Sequence, residues 1–181
     1  MDFSELIKIR QSVRSYSDKP VEKDKIDQCL EAARLAPSAS NSQPWKYIVV
    51  DDEDLKNKVA LATFDKIVKF NKFALQAPII VVIVLEKPKL VTQMGIEITK
   101  REWPLIDIGI TAEHFCLQAA ELGLGTCMIG WFDQKRIQEL LNIPKKKTIG
   151  LLITLGYAPD DYALRKKIRK ANSEVISNNK Y

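Results

Sequence analysis

Seven consecutive apolar residues, Ile79-Ile-Val-Val-Ile-Val-Leu85, constrain this chain more than any other feature. A strand with only one buried face alternates apolar and polar positions, so an unbroken β-branched run predicts a strand covered on both faces. The run is far too short to cross a bilayer as a helix. The chain that surrounds it must therefore supply two layers of cover.

Periodicity identifies those layers. Asp2 to Ile9 reads as a short helix. Lys23 to Leu35 places Ile26, Leu30 and Ala33 at helical spacing before Pro37 stops it. Trp45 to Val50 has strand composition, and Asp51 to Ala62 is helical with an acidic first turn. Ile106 to Leu122 is the strongest helix, with Ile110, His114, Leu117 and Leu122 near one face and Gly123 as its stop. Thr126 to Ile129 and Thr148 to Leu155 read as strands around a short helix, Gln134 to Leu141. Lys87 to Glu102 has weak periodicity and reads as a surface excursion. The expected fold is α+β, with a mixed, mostly antiparallel central sheet flanked by helices.

The length of 181 residues and a hydrophobic content of 46% suffice for one core, so a single domain over 1–181 is expected, with 158–181 as a basic tail. That tail has too few apolar residues to fold alone and needs a surface to lie against. The net charge of +5 makes an anionic partner plausible without specifying nucleic acid. Cys29, Cys116 and Cys127 are odd in number and sit in apolar runs, which points to neither disulfides nor a metal knuckle. The Met-Asp-Phe-Ser-Glu start lacks the features of a secretory leader, so a cytoplasmic location is expected.

Two basic clusters carry the candidate chemistry. Arg10, Ser12 and Arg14 alternate, so in an extended conformation their side chains project to one side. Arginine forks bind phosphate oxygens bidentately and serine adds a neutral donor; a solvated surface turn is the alternative. Arg165, Lys166, Lys167, Arg169 and Lys170 crowd the tail and repel one another unless an anion is near. The two clusters can share one phosphate. A solvated tail and a nucleic-acid patch are the other readings, the latter disfavoured because no nucleic-acid-binding motif accompanies the charge.

Other signals carry less. Gly123-Leu-Gly125 follows a helix and precedes a strand, the reverse of a dinucleotide-binding turn. His114, the only histidine, reads as a packed core residue. There is no Gly-x-Ser-x-Gly, no His-Glu-x-x-His and no cysteine pair at metal spacing, so no metal site is expected.

Taken together, Arg10-Gln-Ser12-Val-Arg14-Ser-Tyr16, Ala36-Pro-Ser-Ala-Ser-Asn-Ser-Gln-Pro-Trp45, Ala77-Pro78, Asp107, Gly123-Leu-Gly-Thr-Cys-Met-Ile-Gly130, Leu155-Gly-Tyr157 and Lys167-Ile-Arg169-Lys170 resemble, in order, the motifs of the FMN-dependent nitroreductases. The resemblance spans nearly the whole chain. It implies an intertwined homodimer in which Arg10, Ser12, Arg14, Lys167 and Arg169 meet the FMN phosphate and ribityl chain. Ser38, Ala39 and Asn41 would approach the flavin of the other subunit, and the backbone at Ile129 and Gly130 would border its ring, with the Gly130 N–H near N5. Asn71 stands near a position where the family places a polar contact to the ring.

The implied activity is ping-pong hydride transfer through flavin N5, from NADH or NADPH to nitroaromatic, quinone-like or related small acceptors. No protein side chain is then needed as a catalytic group. Flavin fragmentation and dehalogenation on the same fold are alternatives, as is a flavin- or nucleic-acid-binding module without turnover. Gln11 departs from the basic residue common among relatives, and 87–102 is shorter than the substrate-covering insertions of larger members, which leaves substrate preference open.

Overall fold

The structure, a computed structural model, describes residues 1–67 and 69–181. Helices α1 (Phe3–Ile9) and α2 (Lys23–Arg34) precede strand β1 (Trp45–Val50), helix α3 (Glu53–Ala60) and strand β2 (Ile79–Leu85). Helices α4 (Leu90–Thr99) and α5 (Trp103–Glu121) follow, then β3 (Gly125–Ile129), α6 (Gln134–Leu140), β4 (Ile149–Gly156) and α7 (Asn172–Val175). The architecture is α+β.

The four strands form one sheet in the order β1-β2-β4-β3, and each neighbouring pair is antiparallel. Among the described residues its parallel element is a single bridge, Ser12 to Thr126, outside the named strands. The expected mixture of strand directions is thus confined to that bridge.

Strand β2 is buried on both faces, as its composition requires. Ile79, Val81 and Ile83 point into a core built with Ile26, Cys29, Ala33, Ile108, Ala112 and Phe115 of α2 and α5. Ile80, Val82 and Val84 point into the opposite core with Val59, Ile137 and Leu152. One strand therefore anchors both layers, and period-two geometry divides its side chains between them.

The helix boundaries have local causes. The Asp2, Asp52 and Asp133 carboxylates accept hydrogen bonds from the backbone N–H of Glu5, Leu55 and Arg136, capping α1, α3 and α6. Gly123 takes φ of 76° just past α5, where other residues pay a steric penalty.

Helix α5 differs from the sequence reading at its start, and the surface segment 87–102 is partly helical. Helix α5 starts at Trp103 with Pro104 in its first turn, and its buried face carries Asp107, Ile108, Thr111, Ala112, Phe115, Cys116 and Ala119. Ile110, His114 and Leu117 are only half-buried. Apart from Ile108 and Phe115, the buried stripe is built of small and polar residues that pack on α2 and carry little hydrophobic signal. Segment 87–102 contains a regular helix, α4, which buries Thr92 while leaving Leu90, Val91, Met94 and Ile98 exposed.

No helix among the described residues is long and apolar enough to cross a membrane. All three cysteines are free and buried. Among the described residues no cluster of His, Cys, Asp or Glu is arranged to hold a metal.

Candidate functional site

The segment after α1 is fixed to the sheet by its apolar members. Val13 and Tyr16 are buried, and the Val13 N–H donates to the Thr126 carbonyl at 2.8 Å. The Tyr16 hydroxyl lies 2.7 Å from Thr154 Oγ1, and burial pushes its pKa far above the usual tyrosine value. Gly125 makes this close approach feasible: a Cβ there would stand 2.7 Å from a Val13 methyl. Next to the inward Val13, Ser12 is half-buried and bridges to Thr126 of β3.

The tail runs back along this segment in the opposite direction. The Arg165 guanidinium donates to the Ser12 carbonyl, and Lys167 Nζ donates to the Arg10 carbonyl at 2.5 Å. Gln11 stitches the two together, accepting from the Arg165 N–H at 3.1 Å and donating to the Ala163 carbonyl at 3.3 Å. Farther along, the Arg14 N–H donates to the Tyr162 hydroxyl at 2.9 Å.

Between the two segments lies a cleft of about 380 Å³, lined from one side by Arg10, Gln11 and Ser12 and from the other by residues 165–169. The two basic clusters, 150 residues apart in sequence, thus form one site. Its counter-charge is slight: Glu113 of α5 pairs with Arg10 at 3.3 Å. Lys167 titrates below the usual lysine range, first because it is partly desolvated and then because Arg10 and Arg169 repel its charge. Mutually repelling cations with forked donors and a serine hydroxyl suit a phosphate monoester.

Of the predicted row, Arg10 and Ser12 reach this cleft. Arg14 instead holds its guanidinium 6.0 Å from the centroid of the Phe73 ring. Arg165 was not among the predicted contacts, yet it lines the cleft and closes it over Ser12. Its position depends on the Gln11 amide, a pairing that composition does not reveal.

The loop Ser38–Gln43 lies elsewhere on the chain, against α4 and α5. Ser38 Oγ accepts from the Gln43 N–H at 2.9 Å, and Asn41 Oδ1 accepts from Gln43 Nε2 at 2.7 Å. Ser40, Asn41 and Gln43 take φ of 52°, 50° and 47°, left-handed conformations that cost about 1 kcal/mol or more each. Among the described residues no hydrogen bond or ion pair joins Ser38, Ala39 or Asn41 to the basic cleft, so one chain alone does not bring them together.

Ile129 is buried at the end of β3, whereas Gly130 is exposed with open space beside its Cα. Asn71 is buried and donates to the carbonyls of Thr63 at 3.1 Å and Trp131 at 3.3 Å. Its amide thus braces the turn that carries Gly130. A second cavity of about 290 Å³ begins at that turn, walled by Phe64, Trp131 and Phe132 with Asp133 and Arg136. Aromatic residues spaced through otherwise polar loops were its only trace in the sequence. His114 Nδ1 lies 3.3 Å from the Ala32 carbonyl, a helix-to-helix contact.

Fold and site together define an α+β protein with a basic cleft at the edge of an antiparallel sheet. Residues 7–157 match the model of the Nitroreductase family, and the chain belongs to that family. A protein of Archaeoglobus fulgidus that carries the provisional name NADH dehydrogenase/NAD(P)H nitroreductase is 30% identical over 183 residues, covering 97% of both chains. A nitroreductase family protein from Clostridium novyi NT is 32% identical, with a TM-score of 0.77 over 88% of this chain and 87% of its own. An FMN-dependent nitroreductase from Clostridium difficile R20291 is 30% identical, with a TM-score of 0.78 over 97% and 98% of the two chains.

Proposed function

We propose that this protein is an FMN-dependent NAD(P)H oxidoreductase that works as a homodimer. The observation that carries the proposal is the union of Arg10, Ser12, Lys167 and Arg169 around one cleft, from opposite ends of the chain. Bound there, FMN supplies the redox chemistry, passing hydride from NADH or NADPH to a nitroaromatic, quinone-like or related small acceptor.

The side chains then have three tasks. Arg10, Ser12, Lys167 and Arg169 would hold the phosphate, with Arg165 closing over Ser12; Arg14, whose guanidinium stands by Phe73 outside this cleft, would serve the ribityl chain. The backbone at Ile129 and Gly130 would border the ring, where a backbone N–H would hold negative charge on the reduced flavin. Ser38, Ala39 and Asn41 reach the site of the second subunit, so each site takes residues from two chains. No side chain has to act as acid, base or nucleophile for this reaction.

Residues 1–181 form one FMN-binding domain in this reading, and the tail 158–181 packs on the partner. Ile168, Val175 and Ile176 leave large apolar side chains exposed on the isolated chain, which favours such packing. The dimer works in the cytoplasm, where its three free cysteines stay reduced.

An absorbance spectrum of the purified protein tests the proposal, followed without oxygen after NADH and then NADPH. A yellow protein that bleaches on donor addition is the expected result, and the more effective donor shows the preference. Protein that stays colourless after incubation with FMN defeats the assignment; colour that neither donor bleaches defeats the NAD(P)H reaction.

A further inference from the structure

One buried carboxylate lies outside the basic cleft. Asp107, in the first half of α5, is 3% exposed and its Oδ2 has no hydrogen-bond partner; among the described residues it is the buried side-chain atom left in that condition. Burial raises its pKa, opposed by the one hydrogen bond it accepts. That bond comes from the Ala39 N–H, at 3.1 Å to Oδ1.

The same residue is held through its carbonyl as well. Thr92 of α4, itself buried, donates its hydroxyl to the Ala39 carbonyl at 3.4 Å. Three residues farther along the loop, the Lys89 N–H donates to Ser42 Oγ at 2.7 Å. Ala39 is therefore gripped by two helices through both of its backbone polar groups. The left-handed residues Ser40 and Asn41 follow at once. Backbone in such conformations persists only where its surroundings over-determine it.

A carboxylate kept in the interior with half of its acceptor capacity idle lowers stability, and packing alone gives no reason for it. A methyl or methylene group would fill the same space without that cost. The retained function is the single bond to the loop. We infer that Asp107 is a positioning residue for the segment Ser38–Gln43, setting FMN affinity in the partner subunit's site without touching the cofactor itself. Thr92 is its counterpart on the opposite side of Ala39. The inference rests on the proposed function, in which this loop reaches the second subunit's flavin.

The test compares Asp107→Ala, Asp107→Asn and Thr92→Val in the full-length dimer, with Thr111→Val as a control for packing. Thr111 is a fully buried α5 residue whose hydroxyl donates to the Ala33 carbonyl, away from the loop. The readouts are the dissociation constant for FMN, the visible circular dichroism of bound flavin and the melting temperature of the apoprotein.

Losing the bond to a charged acceptor is expected to weaken FMN binding by about tenfold or more in Asp107→Ala and to change the flavin dichroism. Thr92→Val should weaken it by roughly threefold, as for a neutral and longer hydrogen bond. Asp107→Asn keeps an acceptor for the Ala39 N–H and should bind FMN as the parent does. Thr111→Val should melt earlier yet bind FMN unchanged.

The inference is overturned if Asp107→Ala and Thr92→Val bind FMN as tightly as the parent, or if FMN affinity merely follows melting temperature across all four variants. Should Asp107→Ala fail to fold, Thr92→Val against Thr111→Val decides the matter alone. Failure of the parent itself to bind FMN would instead remove the proposed function, so the two failures are distinguishable.

Discussion

The sheet and the basic cleft are opposite solutions to the problem of assembling a chain. Around β2 and β4, apolar side chains meet apolar side chains and every strand neighbour supplies its own hydrogen bonds. At the cleft, like charges from the two ends of the chain are drawn together, with Glu113 as their slight compensation. The sheet lowers free energy by its existence. The cleft is tolerated because the sheet holds its walls through Val13, Tyr16 and Thr126. Affinity for an anion is thus stored as unrelieved repulsion, and stability resides elsewhere.

The largest effect that would sharpen this contrast is in the sheet. Leu152, fully buried on β4, should cost roughly 2–5 kcal/mol of stability when replaced by alanine, because a cavity joins the lost burial. Chemical denaturation would measure that loss, and whatever remains folded at low temperature should still bind FMN. If Leu152→Ala released FMN from well-folded protein, the separation of core from site would be wrong.

Next in size, Arg10→Ala combined with Lys167→Ala should weaken FMN binding by about a hundredfold, two charge-assisted contacts being lost. The melting temperature of the apoprotein should barely move, since repulsion is relieved as the contacts to Glu113 and the Arg10 carbonyl disappear. Fluorescence titration with FMN beside thermal melts checks both halves.

A smaller effect follows from the lowered pKa of Lys167. In the apoprotein this ammonium sheds its proton below the ordinary lysine value of about 10.4, whereas a bound phosphate favours the charged form. FMN binding therefore takes up protons in that window and should weaken as pH rises through it. Apoprotein stability should move the other way: the unfolded chain binds more protons there, so unfolding becomes harder as pH rises. Lys167→Met should flatten the pH dependence of FMN binding; an unchanged profile would exclude Lys167 from the phosphate site.

The smallest effect belongs to Glu113→Gln. An exposed ion pair is worth about 0–1 kcal/mol, so freeing Arg10 should tighten FMN binding by no more than roughly fivefold with little change in stability. Weaker binding in this variant would mean that Glu113 orients Arg10 rather than competing for it.

Much of the fold was legible because its signals are local. An apolar run at every position requires cover on both faces, and caps such as Asp52 and Gly123 act within a few residues of their own helices. The limits of α5 were less legible. Its packing face uses Thr111, Ala112 and Cys116, and close approach to α2 selects small residues that carry little hydrophobic signal. The site shows the same division. Arg10, Ser12, Lys167 and Arg169 could be singled out from charge spacing and family resemblance, whereas Arg165 was visible only as one of the tail cations, because its place over Ser12 depends on where the Gln11 amide points. Asn71, flagged by position alone, also braces a turn through its amide N–H groups, a role the sequence does not display.

The order of residues by itself determined which segments become strands and helices and which carry unmatched positive charge, since both follow from side-chain chemistry read a few residues at a time. Only the tertiary structure decided that the two ends of the chain share one cleft, that Ala39 is held by Asp107 and Thr92, and that the loop beyond it lies apart from the basic residues of its own chain. Those contacts join residues up to 157 positions apart. Distances of that kind are set by how the layers pack on the sheet, and no local pattern encodes them.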